Sequence, residues 1–273
     1  MRSRILSWPA LFGVALLVIG WMVLMLEDAF IYFPTRYPEG DWNAAGRGPC
    51  VAQDVYFEAA DGVKTHGWFL PVENAQKVLV YYHGNAGSIA DRYDWGCQLL
   101  GAGASVLMVD YRGYGRSEGS PGERGFYRDI EAVWSWLTHT RGYKAHQILV
   151  YGKSLGGGLA SEWALRHPPG ALILQSTFTN IPDMAAKVLP FVPKFLIRTR
   201  FDTLKKLAEI TCPVLVIHSR HDEIIPFVMG EKLADRANNL QGFMAFSDYG
   251  HNDLIWGEGS AIVQRMALLV EEG

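Results

Sequence analysis

A glycine-flanked serine constrains the fold of this chain more than any other feature. The pentapeptide GKSLG occupies residues 152–156, with Ser154 at its centre, after the apolar run Gln147–Tyr151 and before a stretch of helical character. A strand that turns this sharply into a helix leaves room only for glycines beside the serine, and the turn lifts the hydroxyl above the sheet. We therefore predict that Ser154 is a nucleophile. The alternative is an ordinary glycine-rich turn, which requires no partner groups elsewhere.

Two further groups follow in the order serine, acid, histidine that such a strand–turn–helix nucleophile requires. Asp222 comes shortly after the apolar run Pro213–His218, which places a carboxylate at the carboxyl end of a strand. His251 lies in a polar loop before the last helical segment. We predict that His251 is the general base and that Asp222 orients it. Asp248 and Asp253 are closer to His251 in sequence, but neither ends the strand expected to carry the acid.

The predicted oxyanion hole depends on position rather than on side-chain chemistry. The apolar run Lys77–Tyr82 ends in a His83-Gly84 turn. A turn after this strand supplies one backbone N–H to an oxyanion hole, and the residue after the nucleophile supplies the other. The predicted donors are therefore the N–H groups of Asn85 and Leu155.

Five ordered motifs resemble those of the α/β-hydrolase superfamily, and within it the Bem46-like branch. They are HGNAG at 83–87, DYRGYGRS at 110–117, GKSLGG at 152–157, DEIIP at 222–226 and GHND at 250–253. The resemblance extends from about Phe30 to the C-terminus and includes the segment IYFPT at 31–35. It implies the α/β-hydrolase fold and serine hydrolase chemistry. The substrates of this superfamily are diverse, so the resemblance indicates the reaction better than the substrate.

The pattern of the chain predicts an α/β domain over residues 30–273. Apolar strands alternate with helical segments, which is typical of a mostly parallel central sheet flanked by helices. An entry hairpin is expected at 51–70, around Asp61-Gly62. Residues 177–210 interrupt the alternation with Pro182, Pro190 and Pro193, and we interpret them as a short cap. With 273 residues, 49% of them hydrophobic, the chain is long enough for one such core.

The N-terminal residues 1–29 are predicted to form a transmembrane anchor. Ile5–Leu26 contains no charged residue. A helix of this length spans about 33 Å at about 1.5 Å per residue, whereas the hydrocarbon core of a bilayer is about 30 Å thick. A cleavable signal peptide is the rival interpretation, but its apolar region is normally about 7 to 15 residues long and ends in a small-x-small site. No such site precedes Glu27. A buried core helix is disfavoured because the segment has no polar face.

Flanking charges predict the orientation of this anchor. Arg2 and Arg4 precede the apolar run, whereas Glu27 and Asp28 follow it. The positive-inside rule then places the N-terminus in the cytoplasm. The expected protein is a single-pass membrane protein whose catalytic domain lies outside the cytoplasm, which in a bacterial cell is the periplasmic face of the inner membrane.

Composition and residue spacing exclude several classes of function. The net charge of −3, without a basic block, argues against nucleic-acid binding. No set of histidines, cysteines and carboxylates has the spacing of metal ligands, so we predict neither a metal nor a cofactor. The sequence leaves open whether Cys50 and Cys97 form a disulfide, and Cys212 is expected to be a small buried residue.

Several other polar residues are assigned structural roles. Lys153 occupies the variable position of the elbow and is expected to face solvent or to be paired. Asp110 and Arg112 are expected to organise the loop after their strand. His66 and His218 have no partner visible in the sequence, so a structural or surface role is the default for both.

The predicted reaction is cleavage of a carboxylic ester or thioester through an acyl-enzyme on Ser154. A serine peptidase of the same fold is one alternative, although no acidic site for a substrate amine is evident. A catalytically idle, membrane-anchored binding module is another, but all the expected catalytic groups are present. Haloalkane and epoxide hydrolases are excluded, because they would carry Asp at position 154. The predicted partner is a small-molecule or lipid-like acyl ester, since residues 188–197 of the cap are rich in apolar side chains.

Overall fold

The computed structural model describes residues 26–272 of the chain. Its strands are β1 Phe33–Pro34, β2 Gln53–Glu58, β3 Lys64–Leu70, β4 Val78–Tyr82, β5 Ala86–Gly87, β6 Ser105–Val109, β7 Ile148–Lys153, β8 Ala171–Gln175, β9 Val214–Ser219 and β10 Leu240–Phe246. Its α-helices are α1 Ala44–Arg47, α2 Tyr93–Leu99, α3 Glu123–Ser135, α4 Leu155–Arg166, α5 Ile181–Val188, α6 Thr203–Leu207, α7 Phe227–Arg236 and α8 Leu254–Glu272.

Eight of these strands form one central sheet in the order β10-β9-β8-β7-β4-β6-β3-β2. The strands from β10 to β6 pair in parallel, whereas β3 and β2 join the edge antiparallel. The inner strands β4, β6, β7, β8 and β9 are buried along their whole length, because helices cover both faces. The predicted mostly parallel sheet flanked by helices is therefore confirmed.

The order of the strands determines where a ligand can bind. After β4, the chain adds β6 on one side of that strand. The later strands β7 to β10 are added in turn on its other side. Ligands of open parallel sheets bind at the carboxyl ends of the strands where this direction reverses. That point lies between β4 and β7, whose carboxyl ends lead directly into His83 and Ser154.

Two hydrophobic cores lie on opposite faces of the sheet. Helices α3, α4, α6 and α7 cover one face, where Phe126, Trp163 and Phe201 are fully buried. Helices α2 and α8 cover the other face around Trp68 and Trp95. Truncation of such an aromatic side chain to alanine typically costs about 3–5 kcal/mol of stability. The two cores hold the sheet as a rigid support for the loops at its carboxyl edge.

The segment predicted as the cap lies between β8 and β9. It contains α5, a 3-10 turn at Lys194–Leu196 and α6. Asn180 begins α5, because its side-chain oxygen accepts a hydrogen bond from the N–H of Asp183 at 2.8 Å. Val192 and Ile197 are buried against the body of the domain. The cap is therefore packed on the sheet by part of its apolar surface only.

The N-terminal part of the described chain crosses the carboxyl edge of the sheet. Residues 26–31 are helical, and β1 then pairs in parallel with β5. A disulfide joins Cys50 to Cys97, which resolves the pairing that the sequence left open. The predicted anchor Ile5–Leu26 lies, except for Leu26, outside the described residues. Between residues 26 and 272, no helix is both long and apolar enough to cross a membrane.

Candidate active site

Ser154 lies in a strained turn between β7 and α4. Its φ of 54° and ψ of −118° are rarely adopted by residues other than glycine. The flanking glycines are required by close packing: a Cβ at Gly152 would lie 2.3 Å from the carbonyl oxygen of Gly156. A Cβ at Gly156 would lie 2.0 Å from the carbonyl oxygen of Tyr82. The pentapeptide thus has the backbone geometry of a nucleophile elbow.

Neighbouring strands hold the backbone of this turn in place. The N–H of Ser154 donates to the carbonyl of Gln175 at 2.9 Å, and the hydroxyl of Thr177 donates to the carbonyl of Ser154 at 2.7 Å. Across residues 26–272, the Ser154 hydroxyl itself makes no hydrogen bond, so the structure does not join it to His251. Catalytic hydrogen bonds are often long before substrate binds, and the predicted proton transfer remains a prediction.

Asp222 and His251 are in direct contact although 29 residues separate them. Nδ1 of His251 lies 2.8 Å from Oδ2 of Asp222, and both side chains are buried. The other carboxylate oxygen accepts the N–H groups of Ile224 at 3.0 Å and Ile225 at 2.7 Å. Nε2 of His218 lies 3.4 Å from Oδ2, which makes His218 a second partner that the sequence did not indicate.

These contacts determine the charge of Asp222. Burial by itself raises the pKa of this carboxyl group, but the hydrogen bonds from His218, His251 and the N–H of Ile225 outweigh burial. The pKa of Asp222 therefore falls well below its ordinary value. An ionised carboxylate favours the His251 tautomer with the proton on Nδ1, which leaves Nε2 free to accept a proton.

The acidic residues near His251 have different roles. Glu223 accepts the backbone N–H of His251 at 2.9 Å, and Asp253 accepts the N–H of Gly250 at 2.5 Å. Both carboxylates therefore hold the backbone of the histidine loop, whereas Asp222 contacts the imidazole. Sequence reasoning missed Glu223, since nothing in the local pattern distinguishes it from an exposed acid.

The predicted oxyanion loop lies beside the nucleophile. A Cβ at Gly84 would lie 3.6 Å from the Cβ of Ser154. In the described part of the chain, the N–H groups of Asn85 and Leu155 have no hydrogen-bond acceptor. Leu155 is the first residue of α4, where helix geometry leaves the N–H groups free and partially positive.

Two tyrosines of the 110–117 motif support this loop. The hydroxyl of Tyr111 donates to the carbonyl of His83, and that of Tyr114 donates to the carbonyl of Asn85 at 2.8 Å. The N–H of Phe33 donates to the same Asn85 carbonyl at 3.0 Å. The carbonyl of Asn85 is thus held by two donors from distant parts of the chain, and these donors orient the loop.

Asp110 and Arg112 organise the loop after their strand, as predicted. The buried carboxylate of Asp110 accepts the N–H of Ile89 at 2.9 Å and lies 3.3 Å from Nε2 of His83. Burial raises the pKa of Asp110, but contacts with histidines, His83 among them, reverse the effect and lower it. The guanidinium of Arg112 binds two carboxylates. It donates to Asp129 at 2.7 Å and to Asp61 at 2.9 Å.

Lys153 is buried beside the elbow rather than facing solvent. In the part of the chain that the structure describes, its ammonium group forms neither a hydrogen bond nor an ion pair. Burial and the nearby positive charge of Arg92 lower its pKa to about 8, and the more favourable fields of Asp222 and Asp253 offset this only in part. Sequence reasoning missed this group, because burial at the variable position of the elbow depends on the loops folded over it.

Comparisons with known proteins support the same fold and family. A family model described as Hydrolase_4, serine aminopeptidase S33, matches residues 73–200. The α/β hydrolase domain-containing protein WAV2 of Arabidopsis thaliana is 31% identical over 239 residues, which cover 78% of this chain and 74% of WAV2. The lysophosphatidylserine lipase ABHD12 of Danio rerio is 36% identical over 186 residues, which cover 60% of this chain and 48% of the lipase.

A solved structure has the same architecture. The Pyrococcus furiosus esterase Pf2001 superimposes with a TM-score of 0.70 at 20% identity, covering 88% of this chain and 97% of the esterase. At 20% identity, this likeness shows the shared fold alone. Together with the sequence relatives and the strand order described above, it leads to one conclusion: the chain belongs to the α/β-hydrolase superfamily.

Proposed function

We propose that this protein is a serine hydrolase that cleaves carboxylic esters or thioesters through an acyl-enzyme on Ser154. One observation carries the proposal. A strained serine lies beside the 83–85 loop, on a sheet whose carboxyl edge also holds a buried, hydrogen-bonded Asp222–His251 pair. The names of the esterase and lipase relatives support the same reaction class.

The proposed mechanism assigns each group one task. Nε2 of His251 takes the proton from Ser154 as Oγ attacks the carbonyl carbon of the ester. The N–H groups of Asn85 and Leu155 stabilise the negative oxygen of the tetrahedral intermediate, and loss of one such donor typically costs about 2.7–4 kcal/mol of barrier. Collapse of the intermediate expels the alcohol or thiol, which leaves with the proton from His251. Water then gives a proton to His251 and attacks the acyl-enzyme. Collapse of this second intermediate releases the carboxylic acid, and His251 returns its proton to Oγ of Ser154.

A serine aminopeptidase is the second candidate, because the matching family model carries that description. Such an enzyme needs an acidic group to bind the α-ammonium of its substrate. Beside the elbow, however, Lys153 and Arg92 are positive, Asp222 is engaged by His251, and Asp253 accepts the Gly250 N–H. We therefore favour esters. Hydrolysis of an alanyl p-nitroanilide faster than p-nitrophenyl acetate would favour the peptidase instead.

We also propose that the enzyme acts at a membrane surface and belongs to the Bem46-like branch. Ile5–Leu26 provides a charge-free anchor with Arg2 and Arg4 on its N-terminal side and two acidic residues directly after it. The Cys50–Cys97 disulfide supports a catalytic domain outside the cytoplasm, because disulfides persist mainly in oxidising compartments.

Active-site labelling tests the catalytic proposal. Ser154→Ala should abolish labelling by a fluorophosphonate and hydrolysis of p-nitrophenyl acetate, while circular dichroism remains unchanged. Ser120→Ala, which alters an exposed serine, is the matched control and should label like the wild type. Labelling of Ser154→Ala at the wild-type rate would show that the nucleophile is another residue.

A further inference from the structure

Part of the cap's apolar surface is not used to pack the cap. Val188 is 72% exposed, Phe191 is 71% exposed and Phe195 is 83% exposed. Val192 and Ile197, from the same segment, are buried in the core. The segment therefore presents one set of apolar side chains to the sheet and a second set outward. Clustered exposed aromatic side chains mark surfaces that bind a protein or a membrane.

The helical residues 26–31 are tied to the far end of this segment. The buried carboxylate of Glu27 accepts the N–H of Thr199 at 2.6 Å and the N–H of Arg198 at 3.1 Å. Leu26 and Phe30 are four residues apart, so they lie on the same side of the helix, and both are exposed. Apolar side chains thus project from both segments that meet at Glu27.

This connection restricts the distance between the cap and the bilayer. The charge-free run Ile5–Leu26 ends one residue before Glu27. At a rise of about 1.5 Å per residue, the end of the run lies within a few ångströms of the carboxylate that binds the cap. No flexible linker separates the two along the chain, since residues 26–31 are already helical.

Among the basic residues of the cap segment 184–201, Lys187 is exposed and is not paired with a carboxylate of the described chain. Residues 184–201 contain no acidic residue and four basic ones, Lys187, Lys194, Arg198 and Arg200. The last three of these pair with acidic residues outside the segment, at Asp183, Glu27 and Asp202. Basic and aromatic side chains at the end of a membrane anchor are typical of segments that contact lipid headgroups.

We propose that Leu26, Phe30, Val188, Phe191 and Phe195 form a membrane face, and that this face docks on the bilayer that holds the anchor. The apolar side chains enter the headgroup region, while the exposed Lys187 contacts anionic headgroups. The inference rests on the proposed anchor at Ile5–Leu26 and is independent of the catalytic assignment. Docking would place the cap where an acyl ester can pass from lipid into the site.

Spin labelling of the full-length chain in vesicles of phosphatidylcholine and phosphatidylglycerol tests the docking. Single labels are placed at Phe191→Cys and Phe195→Cys, and the wild type treated with the same label reports any background from the buried Cys212. The matched control is Leu268→Cys, an exposed apolar position on α8, which covers the opposite face of the sheet. We expect the cap labels to relax faster with oxygen than with a water-soluble nickel complex, and the control label to show the reverse.

If the nickel complex reached the cap labels as readily as the control label, the proposed membrane face would be wrong. Carbonate extraction of the same samples identifies a different failure: release of the protein would refute the anchor itself. A functional readout uses the double variant Phe191→Asp with Phe195→Asp. The ratio of kcat/KM for a long-chain ester in the vesicles to that for soluble p-nitrophenyl acetate should fall at least tenfold. An unchanged ratio, as expected for Leu268→Asp, would contradict the proposal.

Discussion

Both carboxylate oxygens of Asp222 have partners. Two backbone N–H groups bind one of its oxygens, while His251 and His218 lie at the other. A carboxylate oriented this way keeps its charge and its direction toward the imidazole. The neighbouring acids Glu223 and Asp253 bind backbone N–H groups instead, so they shape the loop without contacting the ring.

Asp222→Asn should therefore impair catalysis with little change in fold. The amide presents a donor to Nδ1 of His251 and favours the wrong tautomer, so we expect kcat to fall by about 10³- to 10⁴-fold. The measurement is hydrolysis of p-nitrophenyl acetate, with circular dichroism as the check on folding. Asp248→Asn, at an exposed position, is the control and should retain wild-type activity. Near-normal turnover of Asp222→Asn would assign the acid to another residue.

Lys153 should make stability depend on pH in the alkaline range. Its pKa is lowered from 10.5 to about 8 in the folded protein, chiefly by burial. Between these values the unfolded chain binds more protons than the folded protein, so the free energy of unfolding should rise with pH. Below pH 8, Lys153 is protonated in both the folded and the unfolded state. Burial of its charged ammonium group then lowers the free energy of unfolding by the full amount.

Lys153→Met should remove this dependence. The variant keeps the length of the side chain without the charge, so we expect it to be more stable than wild type at pH 7. The difference should shrink as the pH rises from about 8 to 10.5. Urea unfolding of both proteins in detergent at pH 7 and pH 10 measures it. A constant difference between the two pH values would show that Lys153 does not titrate in this range.

The short strand pair β1–β5 connects the N-terminal segment to the oxyanion loop. The side-chain amide of Asn85 donates to the carbonyl of Ile31 at 3.0 Å. The backbone carbonyl of Asn85 accepts the N–H of Phe33 and the hydroxyl of Tyr114. This element is small, but it ties the loop to the N-terminal segment. The segment that follows the predicted anchor is therefore part of the site's framework.

Tyr114→Phe tests whether this framework orients the oxyanion hole. The substitution removes one of the two donors to the Asn85 carbonyl and preserves the ring that packs in the core. We expect kcat for p-nitrophenyl acetate to fall about tenfold with KM nearly unchanged, because the loop contacts the transition state more closely than the bound substrate. The control is Tyr37→Phe, an exposed tyrosine. A change in KM alone would indicate a role in substrate binding.

For the whole molecule, the main prediction concerns its orientation in the membrane. The charges that flank Ile5–Leu26 predict that the hydrolase domain lies outside the cytoplasm. Protease added to intact right-side-out vesicles should digest the domain, whereas carbonate should leave the protein in the membrane. Full protection from protease would reverse the orientation. A shortened N-terminus in the mature protein would instead indicate a cleaved signal peptide.

The sequence by itself determined the features that depend on local chemistry. A sharp turn needs glycine on both sides of Ser154, and buried strands need uninterrupted apolar residues, so both are visible in a short window. The entry hairpin predicted around Asp61-Gly62 is the antiparallel pair β2–β3, and α8 is the last helical segment expected after His251.

Only the tertiary structure decided which further groups meet at the site. The sequence proposed Asp222 as the partner of His251, but the contact of Glu223 with the N–H of His251 depends on β9 and β10 being neighbours, because their carboxyl ends bring both loops to one edge. The contact of Glu27 with the cap and the burial of Lys153 depend likewise on segments far apart in the chain. Residue patterns encode local geometry, whereas such contacts follow from the strand order and the packing of loops, which leave no local signal.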